Sequence, residues 1–507
     1  MRLICNVESA ESQNPTFAAP RVQKCNAVGM KKNLKDAVLY SRDIAMLVQY
    51  ELITSLPSRL SCIILQEWLN MKSLMALDSA FCCHHYRQEF LDLLISDEFS
   101  ILERVFINVN DASSFKVSKL LHRFGEKMRF IHLFRRNCWY FSDHFCDVEC
   151  CLISPYCHHL TQVEFSGVEN CRSTLQALLK NNPQIECLTV SDDNREVLLF
   201  PYSFEDLDLP KLSTLAVKGY KLGDETILGA MQWGNLVRLD LTWCDIFDES
   251  LLVQIARMCP RLRTLVLADV TIEPVTNGGL RDITAICPHI MHLDISGMWE
   301  LVTDAGILSV VKNLKRLQSL NISEVARLTN LSLVYIYTYC AETIKTLMID
   351  NQGVYGVANP TFSAGCVNTL LERCSQLHTL HIYDRYEGST PFTFTFSSCT
   401  LCNLTTLAIG GYIVSDRNLA IIGTHGVNLQ VLEIDSQYVH ESIFGLANSH
   451  PKLRELHYDF RCAYNVNIPE NLVRASRENV RPGLLVTLKS VQNGSTWRPT
   501  KPACFDF

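Results

Sequence analysis

Residues 236–267 read LVRLDLTWCDIFDESLLVQIARMCPRLRTLVL, and much of the chain repeats their plan. Leu236, Leu239 and Leu241 place apolar side chains first, fourth and sixth, the alternation of a short strand with one buried face. Leu252, Ile255, Ala256 and Cys259 follow at i, i+3, i+4 and i+7, one face of a helix that Pro260 ends. Leu262, Leu265 and Leu267 then restart the strand. The triplet occurs twelve times, with central residues at 163, 188, 215, 239, 265, 293, 320, 347, 380, 407, 432 and 456, in steps of 24 to 33 residues. A single coil of this length buries too little apolar surface to offset the entropy of ordering its backbone. The coils must therefore stack, and the stack is the folding unit.

Strand, turn, helix and turn at about 26 residues is similar to the leucine-rich repeat, whose period is roughly 20–29 residues. Trp243-Cys244 after a strand, Asp248, Thr303-Asp304 and Ser415-Asp416 at helix starts, and Cys-Pro before the next strand resemble the cysteine-containing subclass known from F-box proteins. That resemblance covers roughly residues 155–470. It implies an α/β leucine-rich-repeat solenoid of about twelve repeats, a curved parallel sheet with outer helices. Asp304 is expected to cap the first turn of its own helix. Cys259, Cys287 and Cys374 each stand six residues before the next central leucine and Cys340 seven before it, a period expected of small apolar residues packed between coils.

Ahead of the repeats the period is helical. Leu60, Ile63, Ile64 and Trp68 form one group after Leu56-Pro57, and Leu74, Leu77 and Phe81 form another. The segment resembles an F-box through Leu56, Pro57, Leu60, Ile64, Leu65, Leu69 and Leu74 and a closing Cys83, Tyr86 and Arg87, with Tyr86 where that family usually has tryptophan. The resemblance implies that those seven residues dock the small adaptor subunit of a cullin-RING ubiquitin ligase, and through it the cullin. The competing reading is a helical cap over the end of the solenoid. The expected organisation is an extension at 1–52, an F-box-like α-helical module at 53–100, a transition or N-terminal cap at 101–154, repeats at 155–470, and a C-terminal cap and tail at 471–507.

Composition limits the functional classes. The formal net charge is -7, which gives no electrostatic reason to expect a nucleic-acid partner. The most apolar stretch, Leu60 to Leu69, is interrupted by Gln66 and Glu67 and falls short of the roughly 20 residues a bilayer demands, so no membrane span is expected. Met1 to Ala10 lacks the core of a secretion signal, and the 22 cysteines are expected to be reduced thiols in a cytoplasmic or nuclear protein.

In the triplet the residues one before, one after and three after the central leucine should project from the open face of the sheet. Asp240, Asp294, Asp350, His381, Glu433, Asp435, Glu455, His457 and Asp459 then become the candidate substrate-binding set. A surplus of acids on that face would attract a protein carrying a basic segment, although solvated strand faces carry polar residues in any case. Glu433, Asp435, Glu455 and Asp459 crowd onto the last two strands, the first place to test docking. Cys146, Cys150, Cys151, Cys157, His158 and His159 are the densest set of soft ligands, but they lack paired zinc-site spacing, so no metal is expected. No phosphate loop, dinucleotide fingerprint or nucleophile elbow occurs, so neither cofactor nor catalysis is expected. The expected role is non-enzymatic substrate recognition for the ligase, against the alternative of a leucine-rich scaffold or signalling module.

Overall fold

The structure is a computed structural model. It describes residues 104–492 except 109–120, 123, 135–153, 168–171, 193–197, 200–207, 223–232, 247–248, 273–274, 299–301, 352–361, 385–400, 412, 437–442, 444, 447–449 and 463–483. The chain divides into two compact units, Met1–Leu102 and Glu103–Phe507. The first, which holds the expected extension and the whole of the expected F-box-like module, lies outside the described residues.

The described strands of the second unit are β1 (Arg104–Asn108), β2 (Phe130–Phe134), β3 (Gln162–Ser166), β4 (Cys187–Ser191), β5 (Leu198–Leu199), β6 (Thr214–Lys218), β7 (Tyr220–Leu222), β8 (Arg238–Asp240), β9 (Asp245–Ile246) and β10 (Thr264–Val266). They continue as β11 (Thr271–Ile272), β12 (His292–Asp294), β13 (Ser319–Asn321), β14 (Thr346–Asn351), β15 (Thr379–Asp384), β16 (Thr406–Gly411), β17 (Val431–Ser436), β18 (Glu455–Cys462) and β19 (Leu485–Gln492). Fifteen of these form one ribbon in chain order, while β5, β7, β9 and β11 form a second, four-stranded sheet. Every pairing in the ribbon is parallel. The unit is an α/β solenoid with the expected leucine-rich-repeat plan.

All twelve central residues lie in the ribbon, and from Val163 to Leu456 each is the Cα partner of the next. Even the long step between Leu347 and Leu380 keeps this register. The ribbon also extends beyond the twelve. Val105 pairs with Ile131, Ile131 with Val163, and Leu456 with Val486. One pattern of backbone bonds joins coil to coil: the carbonyl of Glu186 accepts from the N–H groups of Ser213 and Thr214, that of Ser213 from Val237 and Arg238, and that of Gln318 from Lys345 and Thr346. A parallel strand can satisfy its amides only through a neighbour, so this ladder is what makes stacking obligatory.

Seven α-helices are described, namely α1 (Arg172–Asn181), α2 (Glu249–Met258), α3 (Asn277–Ile286), α4 (Asp304–Asn313), α5 (Asn330–Tyr339), α6 (Ala364–Arg373) and α7 (Asp416–His425). Each buries an apolar stripe of helical spacing, as Leu251, Leu252, Ile255 and Ala256 do on α2. Asp304 does not cap its own helix. Thr303 does, accepting from Ala305 N, while the Asp304 carboxylate reaches the next coil and accepts from Thr329 N at 2.9 Å and Thr329 Oγ1 at 2.7 Å. The first residue of a helix thus receives the N-cap of the following one, and the pattern recurs. Glu249 accepts from Thr276 N, Asn277 from Thr303 N and Asn330 from Ser363 N. A helix start leaves N–H groups without intrahelical partners, and here the coil before supplies the acceptor.

A second recurring feature lies at the ends of seven of the ribbon's strands. Trp243, Asp269 and Glu324 have φ of 58, 54 and 60°, and Gly167, Gly219, Gly297 and Gly411 have φ of 64, 78, 76 and 70°. All seven stand four residues after a central residue of the ribbon, where the chain turns off the sheet. At Gly297 a Cβ would lie 2.3 Å from Asp269 Oδ1 and 3.0 Å from Asp269 Cα, so glycine is required there by space as well as by φ.

The periodic cysteines are packing residues, as expected. Cys259, Cys287, Cys340 and Cys374 are buried, and burial pushes their thiols up to about 12, 11, 11 and 12 respectively. Asn182 and His450 fill equivalent helix-end positions. Asn182 Nδ2 donates to Cys157 O and Leu178 O, and His450 Nδ1 lies 2.9 Å from Leu446 O. Among the described residues no helix is long and apolar enough to cross a membrane.

Candidate functional site

The residues one after the centres make a continuous row across the ribbon: Asp240, Val266, Asp294, Asn321, Met348, His381, Ala408, Glu433 and His457 are successive Cα partners. Most of this row is not solvated. Asp240, Val266, Asp294, Asn321, Met348, His381, Ala408 and Glu433 are all buried, with Asp294 at 0% exposure. Part of the reason is local. Asp240 Oδ1 accepts from Thr242 N at 3.0 Å and Thr242 Oγ1 at 2.5 Å, and Asp294 Oδ1 accepts from Ser296 N at 3.0 Å and Ser296 Oγ at 2.6 Å. Asn321 Oδ1 accepts from Ser323 N in the same way. These three side chains close the turns after β8, β12 and β13, the local competition for backbone donors at which Asp and Asn excel. Asp240 is also neutralised, its Oδ2 standing 3.0 Å from Lys218 Nζ.

Of the nine candidates the ribbon gathers five at its C-terminal end. Glu433 and Asp435 lie on β17, and Glu455, His457 and Asp459 on β18, with Glu433 opposite His457 and Asp435 opposite Asp459. Glu433 and Asp435 are buried, whereas Glu455, His457 and Asp459 are partly exposed. His457 Nε2 pairs with Glu455 Oε2 at 3.2 Å. Beyond them β19 places Lys489 in register with Asp459. Asp240 and Asp294 belong elsewhere: from β8 to β17 is seven strand spacings, about 34 Å along the ribbon. Asp350 is on β14 in register with Tyr383, its side chain outside the described residues.

His381 lies between Met348 and Ala408 in its row, and its Nδ1 is buried with no hydrogen-bond partner. Burial lowers its pKa to about 4, so the ring is neutral near pH 7. In the next row the Tyr383 ring covers Gly410, where an added Cβ would sit 2.2 Å from the ring and 3.3 Å from Asp435 Cβ. His292 is likewise held below its ordinary value, by burial first and then by Arg238 and Lys345.

At the other end of the ribbon a polar chain crosses three strands. His132 lies 3.7 Å from Glu164 and 3.1 Å from Ser166 Oγ, which in turn accepts from Ser191 Oγ at 3.0 Å. Leucine-rich triplets gave no sign of it, because His132 belongs to a strand whose centre is Ile131 and whose first apolar residue is Met128. The cysteine-histidine set disperses: Cys157 is buried against Met128, His158 Nε2 contacts Pro155 O, His159 pairs with Glu126, and Cys146, Cys150 and Cys151 lie outside the described residues. Among the described residues no group of three or more His, Cys, Asp or Glu is placed to hold a metal ion. The adaptor candidates Leu56, Pro57, Leu60, Ile64, Leu65, Leu69 and Leu74 lie outside the described residues as well.

No family model matches the chain, and no curated protein matches it. Among solved structures it is similar to one described as the crystal structure of the Rad7 and Elc1 complex in yeast, at 13% identity and a TM-score of 0.40, covering 92% of this chain and 98% of that one. It is also similar to an internalin, InlF, from Listeria monocytogenes, at 14% identity and a TM-score of 0.33, covering 69% and 89%. Both scores are below one half, and the fold assignment rests on the in-register ribbon and its coil spacing.

Proposed function

We propose that the chain is a non-enzymatic protein-recognition subunit whose ribbon holds a protein target, with β17 and β18 as the docking end. The observation that carries this reading is the convergence of Glu433, Asp435, Glu455 and Asp459 on two neighbouring strands. Glu455, His457 and Asp459 are the partly exposed members of this end, and the carboxylates of Glu455 and Asp459 would attract a lysine or arginine of a bound segment. Thirteen further strands extend the surface to a length suited to a protein or extended peptide and larger than a metabolite needs.

The finer reading follows from the F-box resemblance of residues 53–100. The chain then recruits a ligase adaptor and cullin through Leu56, Pro57, Leu60, Ile64, Leu65, Leu69 and Leu74. It acts in the cytoplasm or nucleus by raising the concentration of target lysines near a ubiquitin-charged enzyme, with no chemistry of its own. Affinity purification followed by mass spectrometry tests both halves. Recovery of adaptor and cullin, lost in Leu60→Asp, supports the ligase role. Recovery of neither, with Leu60→Asp changing stability alone, leaves the scaffold reading. For a target recovered this way, Glu455→Lys with Asp459→Lys, both at partly exposed positions, should cut binding about tenfold or more and added salt should weaken it; indifference to both refutes the acidic docking end.

A further inference from the structure

Helix α5 is built unlike its neighbours. Its sequence, NLSLVYIYTY, has no charged residue, whereas each of the other six described helices has at least one. Leu333 and Ile336 face the core and are buried, but Leu331 is 51% exposed and Tyr339 40%, with Val334, Tyr335 and Tyr337 partly exposed between them. Leu331, Tyr335 and Tyr339 stand at i, i+4 and i+8, a single outward stripe about 12 Å long. A solenoid helix with one face on the core normally turns charge to water, and an apolar stripe there is what a partner covers.

Cations flank the stripe. Lys312 Nζ and Lys315 Nζ lie 5.8 and 5.5 Å from the Tyr339 ring centre, and Arg373 Cζ lies 5.1 Å from that of Tyr337. Lys312, Lys315, Arg316 and Arg373 are exposed; the acids next in sequence to the patch are Glu342, after α5, and Glu372, on α6. The C-terminal ends of α4 and α6 account for a preference for positive charge, but not for aromatic and leucine side chains turned to solvent between them.

We infer that the outer face of α5 docks an acidic amphipathic helix of a partner protein, its apolar face on Leu331, Tyr335 and Tyr339 and its carboxylates toward Lys312, Lys315 and Arg373. Charge complementarity selects that occupant. A positive rim around an apolar centre suits a segment with acids beside leucines, whereas a nucleic acid would need a longer basic surface. One helix stripe is smaller than the roughly 800 Å² per partner of a stable interface, so the contact is transient, with Kd on the order of tens of micromolar. It lies on a different face from the acidic docking end and does not depend on that reading.

The experiment is fluorescence anisotropy of the full chain with a labelled peptide of about five helical turns bearing leucines on one face and glutamates on the other. Two twins accompany it, one with lysines for the glutamates and one with serines for the leucines. The expected result is saturable binding of the acidic peptide alone, weakened about tenfold by Leu331→Ser and by Lys312→Glu with Lys315→Glu, variants at exposed positions whose unfolding midpoints should match the parent's. Equal binding of either twin, no binding of the acidic peptide, or no effect of the substitutions overturns the inference. So does tighter binding to phosphatidylserine vesicles, lost in the same variants, which would assign the face to a lipid surface.

Discussion

Replacing Asp304 with alanine should uncouple two coils. Its carboxylate accepts from Thr329 N at 2.9 Å, Thr329 Oγ1 at 2.7 Å, Ser332 N at 3.1 Å and Ser332 Oγ at 2.5 Å, joining the start of α4 to the cap of α5. Thr329 is exposed and can turn to water, and Ser332 N also has Thr329 O as an acceptor at 3.0 Å. The Ser332 hydroxyl belongs to a fully buried residue and is left without its acceptor. An orphaned buried donor costs about 1–3 kcal/mol and a lost cap typically about 1, so Asp304→Ala should cost roughly 2–3 kcal/mol. Asparagine already does this work at Asn277 and Asn330, so Asp304→Asn should retain most of the stability. In a repeat array the loss falls on one interface between neighbours. Urea unfolding followed by circular dichroism should therefore show a lower and broader transition for the alanine variant and a near-parental one for asparagine. If alanine matches the parent, or asparagine falls as far as alanine, the inter-coil cap is not what holds α4 to α5.

Three further outcomes follow from other parts of the ribbon. His381 has a folded-state pKa of about 4 against an ordinary 6.5, so the unfolded chain binds more protons between those values. Stability should therefore fall as pH drops through that window, by up to about 3 kcal/mol from this residue, and His381→Leu should flatten that part of a stability-against-pH curve; an unchanged curve would refute its burial. At the turn after the strands Glu324→Gly should stabilise by about 0.5–1 kcal/mol by relieving a positive φ, while Gly297→Ala should destabilise by about 2 kcal/mol or more, both read as thermal midpoints. Cys259, Cys287 and Cys374, raised to about 12, 11 and 12 by burial, should resist iodoacetamide at neutral pH until denaturant is added, with mass spectrometry locating the label.

The ribbon could be read from the sequence because its central leucines are nearly invariant in type and each needs the next coil for cover. Its outer strands could not be read so easily. Leu102, Val105 and Ile107 and then Met128, Ile131 and Leu133 keep the spacing of the triplet with other apolar residues, and before Val486 the first place falls to Gly483. The inner-face acids were visible but their environment was not. Asp240 and Asp294 look like docking charges until the Thr242 and Ser296 two residues on are recognised as their hydrogen-bond donors. Likewise Asp304 reads as a cap for its own helix, because the Thr329 it serves is 25 residues away and only stacking brings it near. The row of left-handed turns is half hidden, since Trp243, Asp269 and Glu324 stand where Gly219 and Gly297 would have given it away. In α5 the spacing of Leu333, Ile336 and Cys340 marks only the face turned to the core, and it takes the fold to show that Leu331, Tyr335 and Tyr339 line the face turned to solvent.

The whole unit is organised by one parallel, in-register ribbon that runs from Val105 to Val486. Amide hydrogen exchange of the intact chain, resolved to short peptides by mass spectrometry, tests it most directly. The expected result is slow exchange in short segments centred near residues 131, 163, 188, 215, 239, 265, 293, 320, 347, 380, 407, 432 and 456, separated by faster turns. Protection in blocks that ignore this spacing, or fast exchange across several consecutive centres, would contradict it.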